Sequence, residues 1–186
     1  MNHYGAKDLA ASFRLVRGNT IQIAEDIPEN KFDFKAAPDC RTVAQTLAHI
    51  ALSPGFQRHI HGNKLTDLQT VNFVELFQKF GAQEAEPRTK SEILALLRAE
   101  GDAFAAFLES LSDRFLEERV TMPPGGEPPT KTRFEMLLSV KEHEMHHRGQ
   151  LMVSQRMLGL VPHLTRRMQE RMAQRAASQP ASAQAT

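Results

Sequence analysis

Three stretches of the sequence carry the same signature of a helix start. A threonine is followed three positions later by Gln or Glu at Thr42–Gln45, Thr89–Glu92 and Thr132–Glu135. In this capping box the two side chains hydrogen-bond the free backbone N–H groups of the first helical turn. Apolar residues with helical spacing follow each box, whereas runs that alternate β-branched and polar residues are nearly absent. The pattern predicts an all-α fold.

The helical segments are long enough to form a bundle. They are predicted at residues 8–26, 43–61, 66–80, 89–111 and 132–158, with a shorter basic helix after Pro162. Pro54 is expected to kink the second segment, and Gly81 is expected to end the third. The stretch VTMPPGGEPPTK is predicted to be a loop, because neither Pro-Pro nor Gly-Gly suits a helix interior. Four long amphipathic helices indicate a helical bundle, a fold whose ligand sites lie between facing helices.

The composition restricts the cellular setting and the partners. The 186 residues predict a single bundle domain over residues 1–176, and the Ser-, Ala-, Gln- and Pro-rich residues 177–186 predict a disordered tail. A net charge of +1 gives no general attraction to nucleic acid, and the arginines after Pro162 are interpreted as a solvated face. No apolar run reaches the ~18 residues of a membrane span, and the single Cys40 excludes an internal disulfide. We expect a cytoplasmic protein without nucleic-acid or membrane partners.

The stretch KEHEMHHRGQL contains three histidines, His143, His146 and His147. It matches H-E-x-x-H, which on a helix is a signature of zinc peptidases. His143 and His147 lie one turn apart on one helix face, so both imidazoles can reach one ion at distances near ~2.0–2.1 Å. His146 points away from that face. A metal-binding pair and a polar helix face both remain open as interpretations.

The rest of the sequence lacks the residues that would complete either a zinc-peptidase site or a di-iron site. The long zinc-peptidase motif fails, because Gly149 is one position early and Val153 stands where the last histidine belongs. A di-iron bundle needs two E-x-x-H motifs, and the sequence has one, ending at His147. A third ligand must then come from a facing helix. The histidines outside the cluster are His3, His49, His59, His61 and His163.

Among these histidines, His49 has the most apolar neighbours in the sequence. It lies in TLAHIAL, between Leu47 and Ile50, and faces either a metal or a hydrogen-bond acceptor such as a backbone carbonyl or a buried water. His59 and His61 lie in QRHIHGNK, which is typical of a solvated helix end. The residues alone leave both interpretations of His49 open.

Two segments together resemble the DinB/YfiT-like family. They are CRTVAQTLAHIALS and, about a hundred residues later, KEHEMHHRGQLMVSQRMLG, and FRLVRGNTIQIAEDIPENKFDFKAAPDCRTV is similar to that family's first helix and linker. The resemblance covers residues 9–162 and implies a four-helix bundle. It further implies a divalent metal ion held by His49, His143 and His147, and a homodimer. The family's name refers to induction by DNA damage, which implies a stress response and not DNA binding.

Characterised relatives in this family include metal-dependent thiol transferases and a mycothiol-dependent isomerase. The resemblance therefore implies a thiol S-transferase that activates a small thiol towards an electrophile. Three nitrogen ligands suit zinc, nickel, iron or copper, and we expect zinc first and nickel second. A hydrolase that uses a metal-bound hydroxide, and a non-catalytic, metal-stabilised binding protein of the stress response, remain alternatives. Glu144 is the candidate base, a hydrogen-bond acceptor that supports a ligand, or a solvated helix carboxylate. Gln150 and Ser139 are expected to line the pocket or support the ligands, and Cys40 is expected to be structural.

Overall fold

The computed structural model describes residues 4–178, and most of them are helical. Within these residues, eight α-helices follow one another: α1 (Ala6–Asp26), α2 (Val43–Leu52), α3 (Pro54–Gly62), α4 (Phe73–Ala85), α5 (Lys90–Glu109), α6 (Asp113–Glu117), α7 (Arg133–Met157) and α8 (His163–Ser178). Two short 3₁₀ turns cover Glu29–Lys31 and Leu68–Thr70. The predicted all-α class is confirmed.

Four helical units form the bundle. Helix α1 packs against α5 and α7, and α2, continued by α3, packs against the same two helices from the other side. Each unit contributes buried apolar residues to the interior, among them Phe13, Ile23, Leu47, Ile50, Ile60, Leu97, Phe104, Leu137 and Leu151. The side chains of α2 and α7 that face one another can therefore meet, and the predicted four-helix bundle is confirmed.

The capping boxes form as expected. The backbone N–H of Gln45 donates to the Thr42 hydroxyl at 3.1 Å, and the Thr42 N–H donates back to the Gln45 side chain at 2.9 Å. The same reciprocal bonds begin α5 at Thr89 and α7 at Thr132. These local hydrogen bonds fix the starts of three bundle helices independently of tertiary contacts.

The second predicted helix is divided in two. Helix α2 ends at Leu52, and Pro54 occupies the first turn of α3. Proline has no N–H, so the carbonyl of Ile50 loses the hydrogen bond that residue 54 would have donated to it. That carbonyl accepts instead from the Arg17 side chain at 3.0 Å. The break thus creates an acceptor inside the bundle.

Two other predicted segments differ from the structure. The loop predicted over residues 120–131 contains an antiparallel hairpin, in which β1 (Arg119–Thr121) pairs with β2 (Thr130–Thr132). Helix α4 begins seven residues later than the predicted residue 66 and continues through Gly81. Helix α8 includes residues 177 and 178 of the predicted tail, and the remainder of that tail lies outside the described residues. Within residues 4–178, none of the helices combines the length and apolar character needed to span a bilayer.

Candidate metal centre

Helices α2 and α7 bring three histidines to one point. The Nε2 atom of His143 lies 3.1 Å from Nε2 of His49 and 3.1 Å from Nε2 of His147. One nitrogen from each ring lies within 4.8 Å of the others. The three rings meet edge to face, with centroids 4.6–4.9 Å apart. The i, i+4 pair on α7 therefore faces the histidine of α2, although the two elements are 94 residues apart in sequence.

The spacing suits one ion bound by three imidazoles. Two nitrogens on a tetrahedral ion at ~2.0–2.1 Å lie about 3.3 Å from one another, close to the Nε2 separations of this cluster. His49 and His147 each turn Nδ1 towards an oxygen atom, so in the neutral ring Nδ1 carries the proton and Nε2 presents a lone pair. Lone pairs that converge in this way attract a cation.

Two side chains hold the ligand rings in that orientation. Glu84, from α4, accepts from Nδ1 of His49 at 2.7 Å. Gln150, one turn along α7, accepts from Nδ1 of His147 at 2.7 Å through its side-chain oxygen. Such acceptors fix the tautomer and make the ligand nitrogen more basic. Arg41 lies 3.8 Å from the second oxygen of Glu84 and adds a weaker electrostatic contact.

Burial keeps the cluster ready for a metal ion. It lowers the pKa of His143 to about 4, and the neighbouring His147 and His49 lower it further when they are charged. Burial also lowers the pKa of His147, although the hydrogen bond that His147 donates to Gln150 opposes the shift. Burial raises the pKa of Glu84, but its hydrogen bond to His49 and the nearby positive charges outweigh this and lower it overall. Near neutral pH, the two α7 imidazoles are therefore uncharged and the carboxylate is ionised.

Two cavities adjoin the cluster, and their lining residues are all different. The first, of about 420 Å³, lies against His49 and His143, with Ser139 and three phenylalanines in its wall. The second, of about 480 Å³, lies against His147 and Gln150, with Arg41 and the exposed Cys40 at its edge. Ser139 thus lies on a cavity wall, and its hydroxyl donates to the Met136 carbonyl at 2.6 Å.

Glu144 does not join the histidines. Its side chain is 1% exposed and accepts from Arg17 at 3.0, 3.0 and 3.1 Å, through both carboxylate oxygens. Arg17 also donates to the carbonyls of Leu97 and Ile50. Arg17 passes close to Gly101 of α5. A Cβ at this position would lie 2.9 Å from Arg17 Cγ, so glycine leaves room for the arginine. The expectation that Glu144 acts as a base, or is solvated, is not supported by this placement.

The remaining histidines lie away from the cluster. His61, predicted to be solvated, is buried, with Nδ1 3.1 Å from the Arg133 guanidinium, and burial lowers its pKa to about 4. That prediction is wrong. His163 is also buried, at the start of α8, beside Asn19. His59 is exposed, and His3 lies outside the described residues. His146 is exposed and contacts Gln150 at 3.2 Å, on the outer side of α7.

Fold and site together define a class: a four-helix bundle with a three-histidine cluster, built from facing helices, that can hold a divalent metal ion. The DinB superfamily model matches residues 12–151, three quarters of the chain. The chain belongs to the DinB superfamily, as its resemblance to DinB/YfiT-like proteins predicted.

Relatives of known structure share this fold. The uncharacterized protein YjoA of Bacillus subtilis is 22% identical over 154 residues, which cover 83% of this chain and 91% of YjoA. The crystal structure of YjoA, a DinB-like protein, superposes with a TM-score of 0.60, at 20% identity and with 81% and 92% of the two chains covered. Bacillus subtilis YfiT gives a TM-score of 0.66 at 18% identity, with 86% and 91% covered. YfiT is described as a probable metal-dependent hydrolase with an unusual four-helix bundle topology.

Sequence reasoning missed Glu84 and Arg17. Nothing in the sequence around Glu84 distinguishes it, because α4 was expected to end before it and the docking of α4 on α2 is a tertiary event. Arg17 carries a usable signal. It interrupts the apolar face of α1 between Val16 and Thr20, and a charge on a buried face predicts a buried partner.

Proposed function

We propose that this protein is a metal-dependent enzyme that transfers a small thiol to an electrophilic substrate. His49, His143 and His147 hold the ion, with zinc the first choice and nickel the second. Nitrogen ligands suit both, and geometry and availability decide between them more than affinity does. When bound, the ion lowers the pKa of a coordinated thiol, so that the thiolate exists near neutral pH.

The observation that carries this proposal is the pair of separate cavities at one cluster. A transfer reaction brings together two organic molecules, whereas hydrolysis needs room for one molecule and water. The second cavity, with Arg41, Thr46 and Ser154 in its wall, suits a polar thiol. The first has a more apolar wall and suits the electrophile.

The chain's own groups support and orient the centre. Glu84 and Gln150 keep the Nδ1 protons of two ligands in place, so that the ligand nitrogens face a common point. Glu84 and Glu144 already have partners: Glu84 bonds His49, and Glu144 bonds Arg17. The thiol proton passes to solvent, the sulfur–carbon bond forms, and the leaving group departs from the electrophile.

Hydrolysis is the second candidate, with water in the place of the thiol. The similarity to YfiT favours it, because YfiT is described as a probable metal-dependent hydrolase. In either reaction the same three histidines bind the ion. A homodimer, a cytoplasmic location and a role in stress remain predictions from the sequence.

The test replaces His49 with alanine and compares it with His59→Ala, a matched change at an exposed histidine on the next helix. Metal content is measured by elemental analysis, and thiol transfer is measured with chlorodinitrobenzene and a panel of small thiols. We expect His49→Ala to lose both metal and transfer while its circular dichroism is unchanged, and His59→Ala to keep both. Metal-loaded wild type that transfers no thiol but hydrolyses esters would favour the second candidate. Transfer that survives the loss of metal would refute both.

A further inference from the structure

The first cavity, beside His49 and His143, has an unusually aromatic wall. Phe56 of α3 and Phe77 and Phe80 of α4 line it, together with Val140 of α7. Its volume of about 420 Å³ falls within the ~300–1,000 Å³ typical of sites for small organic molecules. His49 and His143 line the same cavity, so a molecule in it can present a polar group to the ion and an apolar group to the phenylalanines.

Most polar groups of the wall already have a partner in the protein. The hydroxyl of Ser53 donates to the Ile50 carbonyl at 3.3 Å, and that of Ser139 donates to the Met136 carbonyl at 2.6 Å. Glu84 bonds His49, and the oxygen of Gln57 lies 3.0 Å from His61. What the cavity offers a ligand away from the histidines is therefore mainly apolar surface.

The phenylalanines that line this cavity also pack against one another. The rings of Phe56 and Phe77 are nearly parallel, at 8°, with centroids 5.7 Å apart, and Phe80 meets Phe56 at 61°. Phe77 remains 60% exposed, although it lies at a cavity. A flat ring in the cavity would cover it and gain offset or edge-to-face contacts.

Gly55 of α3 lies directly beside Phe80 of this wall. A Cβ on Gly55 would lie 2.9 Å from Cε1 of Phe80, so glycine at this position lets Phe80 pack closely on α3. Helix α4 carries two of the phenylalanines, Phe77 and Phe80, and also Glu84, the carboxylate that orients His49. The aromatic wall and the orientation of a ligand thus depend on the docking of the same helix.

We propose that the substrate in this cavity carries an aromatic group, which lies against Phe56, Phe77 and Phe80 while its reacting end faces the histidines. This inference rests on the proposed function, because it takes the three-histidine ion as the reacting centre. It adds the chemical class of the substrate and makes Phe77 a residue that determines specificity.

Two probes with the same chelating group distinguish the contribution of the aromatic wall to binding from the contribution of the ion. Benzohydroxamate and acetohydroxamate both bind metals through the hydroxamate, but only the first carries a ring. Their affinities for the zinc- or nickel-loaded protein are measured by calorimetry. We expect benzohydroxamate to bind at least roughly tenfold more tightly, the gain that burial of a phenyl ring provides.

The variant Phe77→Ala tests the wall directly, with Leu15→Ala as its control. Both residues are exposed, at 60% and 70%, so neither change is expected to unfold the protein. Phe77→Ala should reduce the preference for benzohydroxamate several-fold and leave acetohydroxamate unchanged, while Leu15→Ala should alter neither. Equal binding of the two probes to the wild type, or an unchanged preference in Phe77→Ala, would overturn the aromatic site and leave the metal centre standing. Binding of neither probe to metal-loaded protein would overturn the proposed function as well.

Discussion

Two glutamates near the histidine cluster have opposite roles. Glu144 neighbours a ligand in sequence, on the ligand helix itself, yet its side chain lies in the bundle interior against Arg17. Glu84 is separated from His49 by 35 residues, and its side chain, 20% exposed, bonds the ligand ring. Successive residues on a helix point about 100° apart, so the neighbour of a ligand usually faces elsewhere.

The difference between the two carboxylates separates stability from metal binding. A fully buried ion pair affects the free energy of unfolding, because a lone charge in the interior is very costly. A carboxylate that supports a ligand affects the ion mainly and contributes little to the fold. A substitution of Glu144 therefore tests the role in stability, and a substitution of Glu84 tests the role in metal binding.

The largest effect is expected from Glu144→Gln. It leaves the buried Arg17 guanidinium without its counter-charge, which should cost about 3–5 kcal/mol in the free energy of unfolding. Urea denaturation of the metal-free protein measures this loss. The double variant Arg17→Met/Glu144→Met should recover much of it, because two apolar side chains replace the pair. A loss below ~1 kcal/mol in the single variant would show that Glu144 does not compensate the charge of Arg17 as inferred.

A smaller effect is expected from Glu84→Gln. The amide keeps the size of the side chain but loses the negative charge that supports His49, so metal affinity should fall about 10- to 100-fold. Competition with a chelating dye measures the affinity, and Glu86→Gln, an exposed change just beyond α4, is the matched control. Stability without metal should change little. Unchanged metal affinity would remove Glu84 from the site.

The stability of the metal-free protein should depend on pH through the buried His61 and not through the exposed His59. Folding lowers the pKa of His61 to about 4, so between pH 6.5 and 4 the unfolded chain binds a proton that the folded chain does not. Stability of the metal-free protein should therefore fall as pH drops through this window, by up to about 1 kcal/mol per pH unit from this residue.

The variant His61→Asn should flatten this pH dependence, whereas His59→Ala should leave it unchanged. His143, whose pKa is also lowered to about 4, contributes to the same window in the metal-free protein. Part of the slope should therefore survive in His61→Asn and become smaller in His61→Asn/His143→Ala, where His147 and His163, whose pKa values burial also lowers, still contribute. Urea denaturation at a series of pH values gives all the slopes. A slope in His61→Asn equal to that of the wild type would contradict the burial argument.

The smallest effect is expected from His146→Ala. His146 lies between His143 and His147 in the sequence, but its ring is exposed and contacts the Gln150 amide nitrogen at 3.2 Å. The oxygen of that amide, which supports His147, should stay in place. Metal affinity should change by no more than about twofold, the size of an ordinary surface substitution. A larger loss would place His146 among the groups that hold the centre.

Local chemistry explains which parts of the fold were predictable. Capping boxes, helical periodicity and the i, i+4 histidine pair depend on residues within a few turns of one another, so they can be found by inspection. The errors have two causes. Helix α4 starts late because Asn72 caps its first turn, a local signal that the prediction did not use, whereas the strand ending at Thr121 bridges to Asp67, far earlier in the chain. The burial of His61 depends in the same way on Arg133, 72 residues away.

The sequence by itself determined the helical class, the starts of three bundle helices and the pair His143 and His147. Its resemblance to a family supplied His49 as the third histidine. Only the tertiary structure decided that the three Nε2 atoms meet, that Glu84 and not Glu144 supports the centre, and that two cavities adjoin it. The physical reason is that spacing along a helix fixes the direction of a side chain, whereas its partner is fixed by the packing of helices far apart in sequence.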